Sequence, residues 1–172
     1  DMPLQVANEN FALAITGEAW LNDPLYRFPS SPVKQILKLG FGRVTVVAVV
    51  SEDLPARDVR DLRGLVREGL LPTIRVASEY VNIADKYACD NHLERCKIIP
   101  TWGASEAFLP EDADLLIENT ETGETLARHN LKVIDTLFES SACLIGHRDT
   151  LSHPSKKGRI EHIINVIKRG LQ

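Results

Sequence analysis

The sequence predicts an α/β fold of two lobes, and three observations carry that reading. Short apolar runs with strand character alternate with segments of helical spacing along most of the chain. The run at 43–51, RVTVVAVVS, is β-branched and nearly continuous, as a central strand covered on both sides would be. The stretch Glu52–Arg57 (EDLPAR) breaks the pattern with charge and a proline, the composition of a hinge. The expected organisation is therefore an outer lobe from 1–51 plus 139–172 and an inner lobe, 52–138, inserted within it. A ligand cleft is expected between the lobes.

Composition narrows the class. The chain has 172 residues, 44% hydrophobic and 26% charged, which suits a globular protein able to bury a core. A formal net charge of −4 argues against a general nucleic-acid binder, which would carry a basic face. No apolar run approaches the ~20 residues of a membrane-spanning helix, and the start of the chain lacks the pattern of a signal peptide. Neither nucleic acid nor a membrane is expected as a partner, and a cytoplasmic location is. Cys89, Cys96 and Cys143 match no metal spacing and are expected as free buried thiols.

In chain order, Phe11–Ile15 reads as a strand ending at Thr16-Gly17, with a helical turn from Glu18. Asn22–Ser31 is turn-rich. Ser31-Pro32 has the form of a helix start, with Val33, Ile36 and Leu37 on one face and Gly40 as the stop. After the 43–51 strand, Asp58 caps a helix through Val59, Leu62, Leu65 and Val66. Residues 73–77 form a strand, followed by a helix with Ile83, Ala84, Tyr87 and Ala88 inside. Lys97–Pro100 is the next strand, and Trp102–Glu106 opens a short helix. Strands are expected at 113–117, 131–137 and 141–146. The last helix places Ile160, Ile163, Ile164 and Ile167 at i, i+3, i+4, i+7, with Ser155 as its cap.

The segment 101–126, TWGASEAFLPEDADLLIENTETGETL, is the chemical centre of this pattern. A buried strand ends in Glu118 and delivers a Thr/Gly turn, Thr120-Glu121-Thr122-Gly123-Glu124-Thr125, to a helix start. Unpaired amides there form an anion site, with Thr122 and Thr125 adding hydroxyl donors. Glu118 lies beside that site, where an acid suits a sugar phosphate or its magnesium. An ordinary capped turn would have the same residue types. Thr16-Gly17 repeats the strand–turn–helix design and, in a parallel sheet, would face the same crevice.

Six segments together resemble the catalytic part of the ATP phosphoribosyltransferase family. They are Asp1-Met2-Pro3, Leu13–Gly17, Leu39–Arg43, Ile74–Tyr80, Gly103–Glu106, and Asp114–Leu126 with its Thr-Gly-x-Thr-Leu ending. The resemblance implies the two-lobed architecture of type II periplasmic binding proteins. It implies transfer of a phosphoribosyl group from phosphoribosyl pyrophosphate to N1 of ATP, with release of pyrophosphate and dependence on Mg2+. The loop of Thr120, Glu121, Thr122, Gly123, Glu124 and Thr125 would hold the ribose 5-phosphate. Glu118 would meet the ribose hydroxyls or the metal as the catalytic residue. Thr16, Gly17, Gly103, Ala104, Ser105 and Glu106 would line the remaining substrate groups. The partners it implies are ATP, phosphoribosyl pyrophosphate, other subunits of an oligomer, and a regulatory subunit resembling histidyl-tRNA synthetase.

The chain departs from the family at several points. It starts at the Asp-x-Pro match, so a Lys-Gly-Arg strand upstream is expected to be missing, and with it catalytic competence of this chain alone. Glu118 stands for a usual Asp, Asn119-Thr120 for an apolar pair, and Glu124 for a common Arg, its carboxylate expected to face solvent. The chain ends about where the family's short form ends. A two-lobed anion-binding module or effector domain without chemistry is the alternative function class. Glu79 reads as a substrate contact or a helix-dipole partner, Trp102 as an adenine platform or a packed aromatic, and Arg43 as a phosphate contact or an ion-pair partner. The five histidines read as surface or packing residues.

Overall fold

The computed structural model describes residues 2–171; Asp1, which begins the first resemblance segment, and Gln172 lie outside the described residues. The elements run α1 (Met2–Ala7), β1 (Leu13–Gly17), α2 (Glu18–Arg27), β2 (Val33–Lys38), β3 (Val44–Ser51), α3 (Val59–Arg67), β4 (Ile74–Ser78), α4 (Val81–Asp90) and β5 (Cys96–Pro100). A 3-10 turn (Ser105–Phe108), β6 (Leu115–Thr120), α5 (Glu124–Arg128), β7 (Leu131–Ser140), β8 (Ala142–His147), α6 (Arg148–Ser152) and α7 (Pro154–Gly170) follow. The chain is mixed α/β and divides into two compact units, Asp1–Arg43 with Ser141–Gln172, and Val44–Ser140.

In the first unit β8 lies between β1 and β2, antiparallel to both. The parallel setting expected for Thr16-Gly17 is therefore not the one it has. On one face Val6, Leu21, Val33, Cys143 and Ile145 form the core, with Ala7, Ala14 and Leu25 packed on it. Burial pushes the Cys143 thiol up to about 11. Cys89, by contrast, is exposed and Cys96 half-buried, which corrects the expectation that all three are buried.

Two segments of this unit differ from the sequence reading. Residues 22–27 continue α2 with Pro24 inside it, because Ala19, Leu21 and Asp23 are drawn inward and hold the helix on the sheet. The expected helix after Pro32 is the strand β2. Its register shifts between Gln35 and Leu37, so Ile36 is an extra residue, and this bulge turns period-two alternation into the helical-looking spacing of Val33, Ile36 and Leu37. At the other end, α6 was not anticipated; the His147 ring nitrogen Nδ1 accepts from Asp149 N at 3.2 Å and starts it. α7 begins at Pro154, so Ser155 lies inside it and its hydroxyl meets His153 Nδ1 at 2.9 Å instead of capping. Of the expected apolar face of α7, Ile160 is buried while Ile163 is 46% exposed.

The second unit is built on the sheet β5-β4-β6-β3-β7. β4 is parallel to β5 and β6, whereas β3 is antiparallel to β6 and β7. β3, placed in the outer lobe by the sequence reading, thus sits inside this sheet with Val46–Val50 buried. Glu52–Arg57 is no hinge. Glu52 N donates to Asn130 O at 2.8 Å, Lys132 Nζ donates to Glu52 O and Leu54 O, and Ala56 is fully buried, so this unit's own backbone fixes the segment. The unit boundaries fall instead at 43/44 and 140/141.

α3 is capped as expected: Asp58 Oδ1 accepts from Arg60 N at 2.8 Å and from Asp61 N at 3.0 Å. α4 buries Ile83, Ala84, Tyr87 and Ala88. One sheet face is covered by a cluster of Val47, Val49, Ala77, Leu109, Ala113, Leu116, Leu126 and Leu131. Leu126 belongs to α5, so this cluster also anchors the loop that precedes it.

In the first unit Gly146 is hemmed in. A Cβ there would stand 2.8 Å from Ile36 Cδ1, 3.1 Å from Leu13 Cδ2 and 3.2 Å from Leu151 Cδ2. Gly146→Val should therefore lower stability by about 1–3 kcal/mol, as overpacking does. Urea unfolding of the variant checks this, and an unchanged midpoint would contradict the close packing described.

Candidate functional site at the carboxyl ends of β4, β5 and β6

Because β4, β5 and β6 run parallel, their carboxyl ends gather at one edge of the sheet, where ligands collect in α/β proteins. Ser78 ends β4 and is fully buried. Its hydroxyl donates to Ile117 O at 2.7 Å and accepts from Tyr80 N at 2.9 Å, while its carbonyl accepts from Thr101 N at 3.1 Å. The segments 78–80, 101–106 and 117–120 are thereby tied together.

Glu118 lies at that junction, 9% exposed. Its Oε1 accepts from Asn119 N and from Asn119 Nδ2, each at 2.8 Å, and Asn119 Nδ2 also reaches Tyr80 OH at 3.0 Å. Ser105 adds a side-chain hydrogen bond to the carboxylate, and its hydroxyl is 2.9 Å from that of Thr101. Burial pushes the Glu118 carboxyl above the usual range; the Asn119 and Ser105 hydrogen bonds oppose that rise, and the charges of Glu79 and Glu106 add to it.

The loop after β6 has the backbone of a tight turn. Gly123 has φ +79°, a conformation that costs glycine nothing and strains other residues. Its N–H donates to Thr120 Oγ1 at 3.0 Å, and Glu124 N donates to Thr122 Oγ1 at 3.4 Å. Thr120 and Thr122 therefore hold the loop's own amides. Among the described residues the amides of Thr125 and Leu126 have no protein acceptor. Glu121, Thr122, Glu124 and Thr125 are exposed. Glu124 pairs with Arg128 at 3.6 Å in the open, so its carboxylate turns away along α5. With five residues α5 contributes little dipole, and the loop's donors are local amides and hydroxyls.

The Gly103–Glu106 segment lies beside Glu118 through Ser105. Gly103 and Ala104 both have positive φ, and Gly103 N donates to Glu79 Oε1. Glu79 thus supports this turn, a role that neither sequence reading gave it. Trp102 is 88% exposed, so its ring is not packed within its own unit. Among the described residues Arg43 makes no ion pair. Thr16 and Gly17 belong to the other unit. There Gly17 is extended, with φ −76°, and no left-handed turn forms. The adjacent Glu18 Oε2 accepts from Ser141 N and Oγ, both at 3.0 Å, and lies 3.2 Å from Lys38 Nζ. The protein's own carboxylate thus occupies the amide beside this turn.

Sequence reasoning missed Ser78, Tyr80, Thr101 and Asn119. The signal for Ser78 and Thr101 was available, since each is a small hydroxyl residue next to an expected strand end. Among the described residues no group of three or more His, Cys, Asp or Glu side chains is placed to hold a metal ion. Glu118 offers one hard oxygen donor set, which fits a magnesium ion whose other ligands are phosphate oxygens and water.

The comparisons with known proteins identify the family. A sequence model described as "HisG: ATP phosphoribosyltransferase" matches residues 1–169. The chain belongs to the ATP phosphoribosyltransferase family. The ATP phosphoribosyltransferase of Chlorobaculum parvum is 28% identical over 173 residues, covering 98% of this chain and 54% of that protein. That of Solibacter usitatus is 32% identical over 151 residues, covering 87% and 48%. The chain spans about half the length of the curated relatives it matches. The solved ATP phosphoribosyl transferase (HisG:HisZ) complex from Thermotoga maritima shares the fold, with a TM-score of 0.78 and 17% identity over 99% of this chain and 75% of that one. Arginine-bound ArgBP from T. maritima is also similar in fold, with a TM-score of 0.61 and 13% identity over 99% and 73%. The fold is thus common to family members and to solute-binding proteins, and only the sequence match separates them.

The raised carboxyl of Glu118 gives a pH signature. An acid whose folded pKa lies above its unfolded value stabilises the fold below the unfolded pKa, and that contribution is lost as pH rises through the folded one. Glu118→Gln should gain thermal stability relative to the parent as pH rises from 4 to 8, with the smallest difference at the acid end. Melting curves across that window check it; a parallel offset at every pH would contradict the burial cost.

Proposed function

We propose that this chain is the catalytic part of a cytoplasmic ATP phosphoribosyltransferase, a pentosyl transferase that opens histidine biosynthesis. The adenine N1 of ATP attacks C1 of phosphoribosyl pyrophosphate, the C1–oxygen bond breaks, and pyrophosphate leaves with the electron pair. The observation that carries this reading is the Glu118 junction with its Gly123 loop, found in a chain of established family.

The roles follow from the residues. The open amides of Thr125 and Leu126, with the Thr125 hydroxyl, receive the ribose 5-phosphate, and Thr120, Thr122 and Gly123 keep the loop in shape. Glu121 and Glu124 flank the loop and point into the open, so neither has to approach the phosphate. Glu118 accepts hydrogen bonds from the ribose hydroxyls or contributes one ligand to Mg2+; the ion, when bound, offsets the charge of the departing pyrophosphate. Gly103, Ala104, Ser105 and Glu106 line the site beside it. Because pyrophosphate is a good leaving group, positioning and charge control supply most of the acceleration. A regulatory subunit of the HisZ kind and an oligomeric assembly complete the proposal, supported by the partner named for the Thermotoga complex.

The test is to mix the protein, ATP, phosphoribosyl pyrophosphate and magnesium, with and without a HisZ-type subunit, and look for phosphoribosyl-ATP. Thr125→Val should weaken phosphoribosyl pyrophosphate binding about tenfold, the loss of a hydrogen bond to a charged group. Glu118→Gln should reduce turnover more than binding. Binding without product under every condition would favour a non-catalytic module, and unchanged binding by Thr125→Val would overturn the loop assignment.

A further inference from the structure

We propose that Asn119, anchored by Tyr80, is the positioning residue that clamps Glu118 so that one carboxylate oxygen is committed to the protein and the other is presented to the ligand. The inference rests on the substrate reading above and deepens it.

A glutamate at a strand end has three side-chain torsions, and ordering them costs up to about 1.5–2 kcal/mol. Something must hold it if it is to meet a ligand in one geometry. Here both hydrogen bonds to Oε1 come from a single residue: the N–H and the Nδ2 of Asn119, each at 2.8 Å. An ionised carboxylate only accepts, so the amide of Asn119 must turn its nitrogen toward Glu118. That nitrogen carries two protons. One goes to Glu118 and the other to Tyr80 OH at 3.0 Å, so its donor capacity is fully used. Tyr80 is 2% exposed, which makes the anchor a packed side chain. The clamp thus fixes the carboxylate through a buried ring one strand away.

The chemistry of the clamp matters as much as its geometry. Glu79 and Glu106 lie close enough to repel Glu118, and a free carboxylate would swing away from them. A Lys or Arg clamp would hold it but would neutralise the charge that a cation or a pair of sugar hydroxyls needs. Asn119 holds it with neutral donors and leaves the charge available. With Oε1 held twice by Asn119, the ligand meets Oε2, and Ser105 is the carboxylate's remaining side-chain donor.

The experiment pairs Asn119→Leu and Tyr80→Phe with Glu118→Gln. Phosphoribosyl pyrophosphate binding is measured by calorimetry in magnesium, and kcat and KM are followed separately; melting curves confirm that each variant folds. In the parent background Asn119→Leu should weaken binding about tenfold and Tyr80→Phe two- to fivefold. In the Glu118→Gln background each effect should shrink below twofold, because the residues act through that carboxylate. Effects of equal size in both backgrounds would mean a merely structural role and overturn the proposal, as would no effect in the parent. Should Asn119→Leu fail to fold, the Tyr80→Phe cycle decides by the same criterion. If the parent itself binds no phosphoribosyl pyrophosphate, the substrate reading fails and takes this inference with it.

Discussion

The register between β4 and β6 is the constraint on which the candidate site depends, and it is pinned at both ends. At the amino ends the Asp114 carboxylate accepts from Arg75 N, Nε and Nη2 at 2.8–3.1 Å, and Asp114 N donates back to Arg75 O at 2.9 Å. At the carboxyl ends the Ser78 hydroxyl bridges Ile117 O and Tyr80 N. A slip of one residue would send every side chain of β6 to the opposite face. Glu118 would then leave Ser105, Asn119 would leave Tyr80, and Leu126 would leave the cluster that seats the loop. The pins are polar and buried or half-buried, so they act by specifying one pairing more than by adding net stability.

Against that rigid frame the site carries the costs expected of a functional one. Glu118 is buried near two other carboxylates, an arrangement that disfavours its charge. Ala104, a non-glycine residue, takes positive φ in one of the turns that flank it. Other elements of the second unit follow ordinary rules: a capped α3, an α4 with one apolar face, and a buried β3.

Much of this was legible in the sequence because its signals were local. Asp58 before a periodic run, the β-branched 43–51 segment and the Thr-Gly-x-Thr-Leu turn all formed near their expected positions. The errors arose where tertiary structure overrode local pattern. The bulge at Ile36 gave β2 a helical period, and the sheet's need for β3 moved the unit boundary from 51/52 to 43/44. Thr16-Gly17 resembled the Gly123 turn in residue type, but an antiparallel partner strand and Glu18 gave it different geometry. Residues such as Ser78 and Asn119 act through contacts 39 positions away, Ser78 with Ile117 and Asn119 with Tyr80, and no local window reveals those. The family was legible as a whole because its motif is a set of short segments in order, and the family model matches residues 1–169, which contain all of them.

The bridge made by Ser78 is the most direct point at which to test this account. Hydrogen exchange on Ser78→Ala should show the Tyr80 amide losing at least tenfold in protection, with an overall destabilisation of about 1–3 kcal/mol for a buried hydrogen-bonding group left unpaired. The amides of Val76 and Leu115, nearer the Arg75–Asp114 pin, should change no more than the global stability does. A Tyr80 amide as protected as in the parent would contradict the claim that this hydroxyl holds the carboxyl ends of β4 and β6 together.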